Sequence, residues 1–275
     1  MKPSVCIVLL TIFTIITNQN SINATQAEPP ETSFAKLWMV HIDEVEPAAA
    51  KEFERLSQAQ TAMLKSILKS HEIARKPTFE LSTNNYTYMT FRGRRGFTEF
   101  DQASNIPADV RKLLDEKVYV MDDEMHKALR THYNQIWRLY EENSYLPENS
   151  RYQQSVPGFI RIHTEWIKPG KEQTYESVIG KYREALIKLK HPVGYLFFYV
   201  SYGDGSYKYL WQAENKQQFQ NANSFEQTLV LAFGKQEAET VIQQWRECIT
   251  KVADIDATPR PDLTNLDVTQ GWLPN

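Results

Sequence analysis

The sequence predicts an α+β fold built from two related units in tandem. The first observation is a repeated motif: Leu37–Pro47 reads LWMVHIDEVEP and Phe159–Pro169 reads FIRIHTEWIKP, an offset of 159 − 37 = 122 positions. The second and third observations are an apolar helical stripe and a β-rich hairpin that follow each copy of the motif. An internal repeat of this kind indicates a duplicated supersecondary unit.

Residues 1–27 are typical of a secretory signal peptide. Lys2 gives a positive start, and the apolar stretch Val5–Ile16 is too short for a membrane span, which needs ~20 residues. Ala24 and Ala27 suit a cleavage site. We therefore expect a secreted or periplasmic protein with no membrane attachment after signal removal; an uncleaved N-terminal anchor is the alternative.

The composition indicates a mildly acidic protein without disulfides. The net charge is 31 − 34 = −3, and loss of Lys2 with the signal makes it 30 − 34 = −4. No basic stripe is present, so nucleic acid is not an expected partner. Cys248 would be the single cysteine of the mature chain, which rules out an intramolecular disulfide. It lies at a core-facing helical position and reads as a small buried hydrophobe.

Each unit opens with a strand whose two faces differ, because alternate side chains of a strand point to opposite sides. One face is aliphatic in both copies: Trp38, Val40 and Ile42, then Ile160, Ile162 and Thr164. The other face carries the polar groups: His41 and Asp43, then Arg161, His163 and Glu165. We expect helices to cover the aliphatic face, and the polar face to look into a cavity or into solvent.

A helix and a hairpin are predicted after each strand. The helical stripes are Phe53, Leu56, Met63, Leu64, Ile67 and Leu68, and then Tyr175, Val178, Ile179, Tyr182, Ala185, Leu186 and Leu189. Asp204-Gly205 between Tyr195–Val200 and Tyr207–Trp211 is a strong hairpin signal. Phe79–Leu81 and Tyr86–Phe91 form a weaker counterpart in the first unit.

A second amphipathic helix is predicted to end each unit. Its stripe is Met121, Met125, Leu129, Tyr133, Ile136 and Tyr140 in the first unit, and Val241, Ile242, Trp245, Cys248, Ile249 and Val252 in the second. Pairing Trp137 with Trp245 gives an offset of 108, so the first unit would carry 122 − 108 = 14 extra residues. The predicted boundaries are 34–140 for the first unit, 141–157 for a linker, 158–258 for the second unit and 259–275 for an irregular tail.

This order of strand, helix, hairpin and helix resembles a ferredoxin-like unit. With the opening Phe159–Lys171, the tandem arrangement resembles the dimeric α/β-barrel superfamily, which includes NIPSNAP-like and antibiotic-biosynthesis monooxygenase-like proteins. The resemblance covers roughly residues 34–258. It implies an α+β chain of tandem duplicated ferredoxin-like units whose two sheets face each other in an intrachain pseudo-twofold barrel.

The His-x-carboxylate pairs are the candidate site in this barrel. His41, Asp43, Arg161, His163 and Glu165 would line its cavity, with apolar walls from the hairpin residues Tyr88, Tyr209 and Trp211. A histidine beside a carboxylate can act as a general base. The alternative is a pair of buried ion pairs that dock the sheets. A third option is a divalent transition metal held by the two His and two carboxylates across a pseudo-twofold axis, but no dense metal-ligand motif is present, so no metal is predicted. No cofactor is predicted either, since a secreted location makes NAD(P)H less available.

Three functions stay open at this point. The first is a binding protein for a small apolar or aromatic molecule in a pocket between the two units. The second is a cofactor-independent enzyme, monooxygenase- or isomerase-like as in the resembling family, that uses a strand histidine as general base. The third is an interaction protein, and a homodimer is compatible with each. The fold cannot choose among them, because one scaffold hosts unrelated functions.

Overall fold

Eight strands close into one antiparallel barrel in the computed structural model, which describes residues 35–73, 78–101, 106–147 and 156–264. The strands are β1 (Leu37–Val45), β2 (Thr78–Thr83), β3 (Thr87–Arg94), β4 (Leu129–Leu139), β5 (Phe159–Ile167), β6 (Gly194–Tyr202), β7 (Tyr207–Ala213) and β8 (Ile249–Pro259). Their order around the barrel is β1-β3-β2-β8-β5-β7-β6-β4. Closure leaves none of these strands as an open edge.

The barrel reads as two halves with the same strand order. The first half is β4-β1-β3-β2, the second is β8-β5-β7-β6, and the β2–β8 and β4–β6 pairs join them. His41 lies opposite Thr90 and Asn134 in the first half. His163 lies opposite Tyr209 and Asp254 in the second. The two histidines therefore occupy equivalent positions.

Helices cover the outside of the barrel. In the first half these are α1 (Ala50–Ser70), α2 (Thr98–Asp101), α3 (Ala108–Leu114) and α4 (Val120–His126), with a π-helical turn (Asp115–Tyr119) between α3 and α4. In the second half they are α5 (Glu172–Leu189), α6 (Lys216–Asn221), α7 (Phe225–Phe233) and α8 (Lys235–Cys248). Ser224 caps α7 with a reciprocal capping box to Gln227. Among the described residues, we find no helix with the length and apolarity of a membrane span.

The faces of the strands are the reverse of the predicted arrangement. The barrel interior is packed with apolar side chains from all eight strands, among them Trp38, Val40 and Ile42, which were expected to meet helices. Trp38 reaches across to Phe198 of the other half, with ring centroids 5.7 Å apart. The polar faces of β1 and β5 consequently point outward, towards the helices.

The predicted final helices are too long in both halves. The first ends at His126, and Leu129–Leu139 is strand β4; the second ends at Cys248, and Ile249–Pro259 is strand β8. Leu129, Tyr133 and Ile136 fall at helical spacing by coincidence, while the β-branched residues Ile249, Thr250 and Val252 favour a strand. The residue spacing allowed either a helix or a strand in these segments, and their pairing in the sheet makes them strands.

The register also corrects the expected insertion. Leu129 pairs with Val45 just past a bulge in the first half, and Ile249 pairs with Ile167 just past a bulge in the second. The offset there is 249 − 129 = 120, so the fourth strands differ from the first strands by 122 − 120 = 2 residues. Trp137 lies in the barrel interior and Trp245 lies on α8, so they are not equivalent.

Several predicted segments lie wholly or partly outside the described residues. These are the signal peptide at 1–27, the middle of the linker at 141–157 and the end of the tail at 259–275. Within the described part of the linker, Glu141–Asn143 forms a 3₁₀ turn and Tyr145 bridges to Tyr195. Within the tail, Leu263 packs beneath α1 with Val45 and Phe53.

Candidate functional site

Each half presents a row of four side chains on its outer face, centred on a histidine. The first-half row is Asn134, His41, Thr90 and Glu80. The second-half row is Asp254, His163, Tyr209 and Phe197. Because paired residues of antiparallel strands share a face, each row lies side by side across four strands.

In the second half, the histidine and its carboxylates form a closed network. His163 contacts Glu165 through Nε2 at 2.9 Å and Asp254 through Nδ1 at 2.7 Å. Glu165 is buried and also accepts hydrogen bonds from Tyr175, Tyr209 and Trp245. Every donor around this carboxylate comes from the protein, so the network docks α5 and α8 onto β5.

The electrostatics hold His163 in its charged form. Burial opposes the charge, but the hydrogen bonds and charges of Asp254 and Glu165 outweigh burial and raise the pKa of His163 to about 9. At neutral pH the ring is therefore an imidazolium with both N–H groups engaged. A general base needs a free lone pair, which this ring lacks.

The other predicted residues of the second half are also structural. Arg161 donates to Asp256 at 2.9 and 2.7 Å and lies over the Phe219 ring. Tyr209 and Trp211 lie on the outer face among the aromatic residues that pack against α5, α7 and α8. They form the contact with the helices and do not line a space inside the barrel.

In the first half, His41 has a different pair of partners. Its Nε2 lies 3.0 Å from Oδ1 of Asp43, and its Nδ1 lies 3.0 Å from the side-chain oxygen of Asn134. The side chains of His41 and Asp43 are 28% and 13% exposed, so water reaches this pair.

Asn134 allows both protonation states of His41. With its oxygen towards the ring, the amide accepts from a charged imidazolium; turned by half a rotation, it donates to Nδ1 of a neutral ring. Asp254 at the equivalent position of the second half can only accept while ionised. The hydrogen bond to Asp43 raises the pKa of His41, burial lowers it, and the net direction is upward.

Glu80 and Thr90 complete the first-half row, and sequence reasoning missed both as site residues. Thr90 donates to Glu80 at 3.3 Å. Burial, together with the charge of Asp43, raises the pKa of Glu80 to about 8, so its carboxyl group is protonated at neutral pH. The sequence did contain a signal for Glu80. It lies between Phe79 and Leu81, whose side chains point inward, so alternation places the Glu80 carboxyl group on the outer face with His41.

The helices cover this row incompletely. Apolar contact between α1 and the sheet is confined to one end, where Phe53 packs on Val45 and Tyr88. The other end of α1 packs on α3 and the π-helical turn through Ile67 and Leu68. Between these contacts the outer-face residues are only half-buried: Met39, His41, Glu80, Thr90 and Arg92.

An ion-pair network lies at one end of this half-buried row. Tyr88 donates to Glu54 at 2.6 Å, and Arg260 reaches Glu54 at 2.5 Å and Asp262 at 2.8 Å. Arg260 lowers the pKa of Asp262 to about 2 and that of Glu54 below its usual range. Tyr88 is therefore an anchoring residue at this end of the row, and its hydroxyl is already engaged.

A metal centre is not formed by these groups. Among the described residues, no group of three or more His, Cys, Asp and Glu side chains is placed to hold a metal ion. The two His–carboxylate pairs do not converge, because each points outward from its own half of the barrel. The rings of His41 and His132 lie 5.9 Å apart between centroids, so a second imidazole lies close to His41.

The fold is shared with solved structures of low sequence identity. A proposed monooxygenase from Lactobacillus acidophilus NCFM is 9% identical, with a TM-score of 0.50 over 87% of this chain and 98% of that chain. A proposed monooxygenase from Fusobacterium nucleatum is 9% identical, with a TM-score of 0.51 over 87% of this chain and 96% of that chain. A chlorite dismutase variant from Candidatus Nitrospira defluvii is 8% identical, with a TM-score of 0.48 over 86% and 94%.

These comparisons support the fold and leave the reaction open. The mixed α+β class and the closed eight-stranded barrel are confirmed, and these structural neighbours share the fold. No family model matches the sequence, and no curated protein matches it. The NIPSNAP-like relation and the origin of the halves by tandem duplication stay predictions.

Proposed function

We propose that this chain is a cofactor-independent small-molecule enzyme, monooxygenase- or isomerase-like, that removes a proton from an activated carbon or a phenol at the first-half row. The observation that carries the proposal is the environment of His41. It is a half-exposed histidine with a carboxylate on one nitrogen and a neutral, reversible amide on the other. Two halves of tandem-duplicated origin would explain why one copy works while the other docks helices.

His41 acts as the general base. A substrate bound over Thr90 displaces the exposed Asn134 amide, and Nδ1 of the neutral ring takes the proton. Asp43 stabilises the resulting imidazolium through Nε2–H, the same division of labour as in His–Asp pairs of hydrolases. For an activated carbon, the C–H electron pair moves into the substrate and onto the carbonyl oxygen; for a phenol, the O–H electron pair stays on the phenolate oxygen.

Glu80 stabilises the charge that develops. Its carboxyl is protonated at neutral pH and donates a hydrogen bond to the substrate oxygen on the far side of Thr90 from His41. An isomerase-like reaction returns the proton to a different atom. A monooxygenase-like reaction delivers the electrons of the substrate anion to dissolved O₂, the single co-reactant: one oxygen atom becomes a new carbonyl of the substrate, and the other leaves as water with the two hydrogens of the former CH₂ group.

A binding protein with its pocket between the halves is less well supported. Apolar side chains occupy the space between the two sheets, and the candidate polar residues face the other way. A secreted or periplasmic location remains part of the proposal, on the strength of residues 1–27 alone. A small aromatic molecule is the proposed substrate, and a homodimer remains compatible.

Deuterium exchange tests the proton-abstraction step without assuming the fate of the anion. We expect the protein in D₂O to accelerate exchange at the activated C–H of anthrone or of a cyclic 1,3-diketone, followed by NMR. His41→Gln should abolish the acceleration and His163→Gln should retain it. The rate should rise with pH through a pKa above 6.5, from His41, and fall near pH 8 as Glu80 ionises.

Equal rates for the wild type and His41→Gln, with both folded, would remove the proposal. Retention of the probe in native mass spectrometry without exchange would favour the binding function. Oxygen uptake measured on the same probes then separates the two enzyme types, since an isomerase consumes none.

A further inference from the structure

A lysine lies inside one mouth of the barrel. Lys208 of β7 pairs with Thr164 of β5 and Phe198 of β6, and its side chain points inward with Leu210 and Phe198. Its side chain is 10% exposed. Burying a long cationic side chain among apolar neighbours is costly, so its placement calls for an explanation.

The ammonium group has few partners for its three donors. Nζ lies 3.3 Å from Oγ1 of Thr164 and 3.8 Å from Oδ2 of Asp204 in the turn between β6 and β7. Asp204 uses its other oxygen for Ser206. Burial lowers the pKa of Lys208, and the charge of Asp204 opposes that shift.

Two indole rings flank the same nitrogen. Nζ lies 5.4 Å from the centroid of Trp137 and 5.8 Å from that of Trp166. Trp137 is fully buried, whereas Trp166 is half-buried and opens the mouth to solvent. The exposed Lys251 lies 4.5 Å from the same Trp166 ring and serves as a natural control.

We propose that Lys208 is a nucleophilic amine that condenses reversibly with a small aromatic aldehyde at this barrel mouth. A desolvated lysine in an apolar pocket is an activated nucleophile. The aromatic ring of the aldehyde packs against Trp166, and its carbonyl reaches Nζ from the side of Asp204. This site is on the opposite face of the sheet from the first-half row and does not depend on the proposed reaction at His41.

The condensation balances without an oxidant or reductant. The amine lone pair attacks the carbonyl carbon, and the carbonyl electron pair moves onto oxygen. Asp204 relays one amine proton to that oxygen, giving a carbinolamine, and then the second amine proton to its hydroxyl group, so that water leaves as the nitrogen lone pair forms the C=N bond of the imine. Hydrolysis reverses the same steps.

Reductive trapping tests the site on the full-length protein. Benzaldehyde with sodium cyanoborohydride at pH 7 converts the imine to a stable benzyl-lysine, and peptide mass spectrometry locates it. We expect Lys208 to be labelled faster than Lys251, because burial lowers the pKa of Lys208 and so enlarges its neutral fraction. Cyclohexanecarbaldehyde, which lacks the aromatic ring, should label Lys208 more slowly.

Three variants test the role of Lys208 separately, so that misfolding of one leaves the others informative. Lys208→Arg keeps the charge but cannot form the imine, so the fast labelling should disappear; Lys251→Met should leave it unchanged. Asp204→Asn should slow labelling of Lys208 and leave its position unchanged. Labelling that spreads over exposed lysines while Lys208 stays unmodified in the folded wild type overturns the inference.

Discussion

His41 and His163 occupy equivalent positions in the two halves of one barrel, yet their surroundings differ in a single decisive respect. Across the strand pair, His163 faces the carboxylate Asp254 and His41 faces the amide Asn134. Aromatic side chains pack around Glu165 and Tyr209 in the second-half row, while Thr90 and Glu80 leave the first-half row polar. We infer that the neighbours of a His–carboxylate motif decide between docking and chemistry.

The largest expected difference between the halves is in stability. Glu165→Ala removes a buried acceptor from four donors, so we expect it to lower the free energy of unfolding by about 3–5 kcal/mol. Asp43→Ala, the equivalent change in the more open row, should cost only about 1 kcal/mol. Urea unfolding of both variants measures the two values. Equal losses would mean that the two pairs play the same structural part.

The pH dependence of stability should isolate His163. Its folded pKa of about 9 lies above the unfolded value of 6.5, so its contribution is complete below pH 6.5 and is lost as the pH rises to 9. We expect a decline of about 2–3 kcal/mol across that window. Urea unfolding between pH 6 and pH 10 checks this, with His163→Gln as the control whose curve should be flatter. A wild-type curve that is level over this range would contradict the closed network.

Glu80 should also make the native state less stable as the pH rises, but as an acid whose burial costs stability and not as a group that contributes it. Its folded pKa of about 8 exceeds the unfolded value near 4.5, so the native state loses stability as the pH rises from 4.5 to 8. Glu80→Gln keeps the shape and removes the titration, and we expect it to stabilise the protein by about 2 kcal/mol at pH 8. The same variant should lower the exchange rate on anthrone. A stabilised variant with full activity would confine Glu80 to a structural role.

The sequence predicted both His–carboxylate pairs from local alternation within one strand and the α+β class from the order of strands and helical stripes, whereas the barrel followed from the resemblance to a known superfamily. The sequence did not predict which face turns inward. Trp38, Val40 and Ile42 suit a helix layer as well as a barrel interior, and only closure of the sheet distinguishes the two. Strands β4 and β8 were missed for a similar reason, since their stability comes from pairing with β1 and β5 across long sequence separations.

The candidate site was predictable only in part. His41 and Asp43 stand two residues apart, so the motif revealed them, whereas Asn134 and Glu80 come from other strands. The identity of these cross-strand neighbours decides the chemistry, and a single sequence does not state the register. The two motifs do not distinguish His41 from His163. The observed register does, because it shows which residues lie opposite each histidine.

Exchanging the cross-strand neighbours of the two histidines, Asn134 and Asp254, tests this distinction directly. We expect the smallest changes in free energy from these variants. Asp254→Asn removes one of the two carboxylates that hold His163, so its pKa should fall by about one unit, equivalent to about 1.4 kcal/mol. Asn134→Asp places a second carboxylate on His41 and should raise the pKa of that ring by a similar amount. NMR titration of the imidazole signals measures both, with the double variant as the internal check.

The same two variants should also show how the charge on the His41 ring affects the proton-abstraction rate. Asn134→Asp leaves His41 in place but holds its ring in the charged form, so the proton-abstraction rate on anthrone at pH 7 should fall about tenfold and recover as the pH is raised. Asp254→Asn should leave that rate unchanged, because Glu165 still engages His163 and Phe197 stands where the first-half row has Glu80. Activity gained through His163 in this variant would show that the carboxylate alone, and not the aromatic cover, silences the second half.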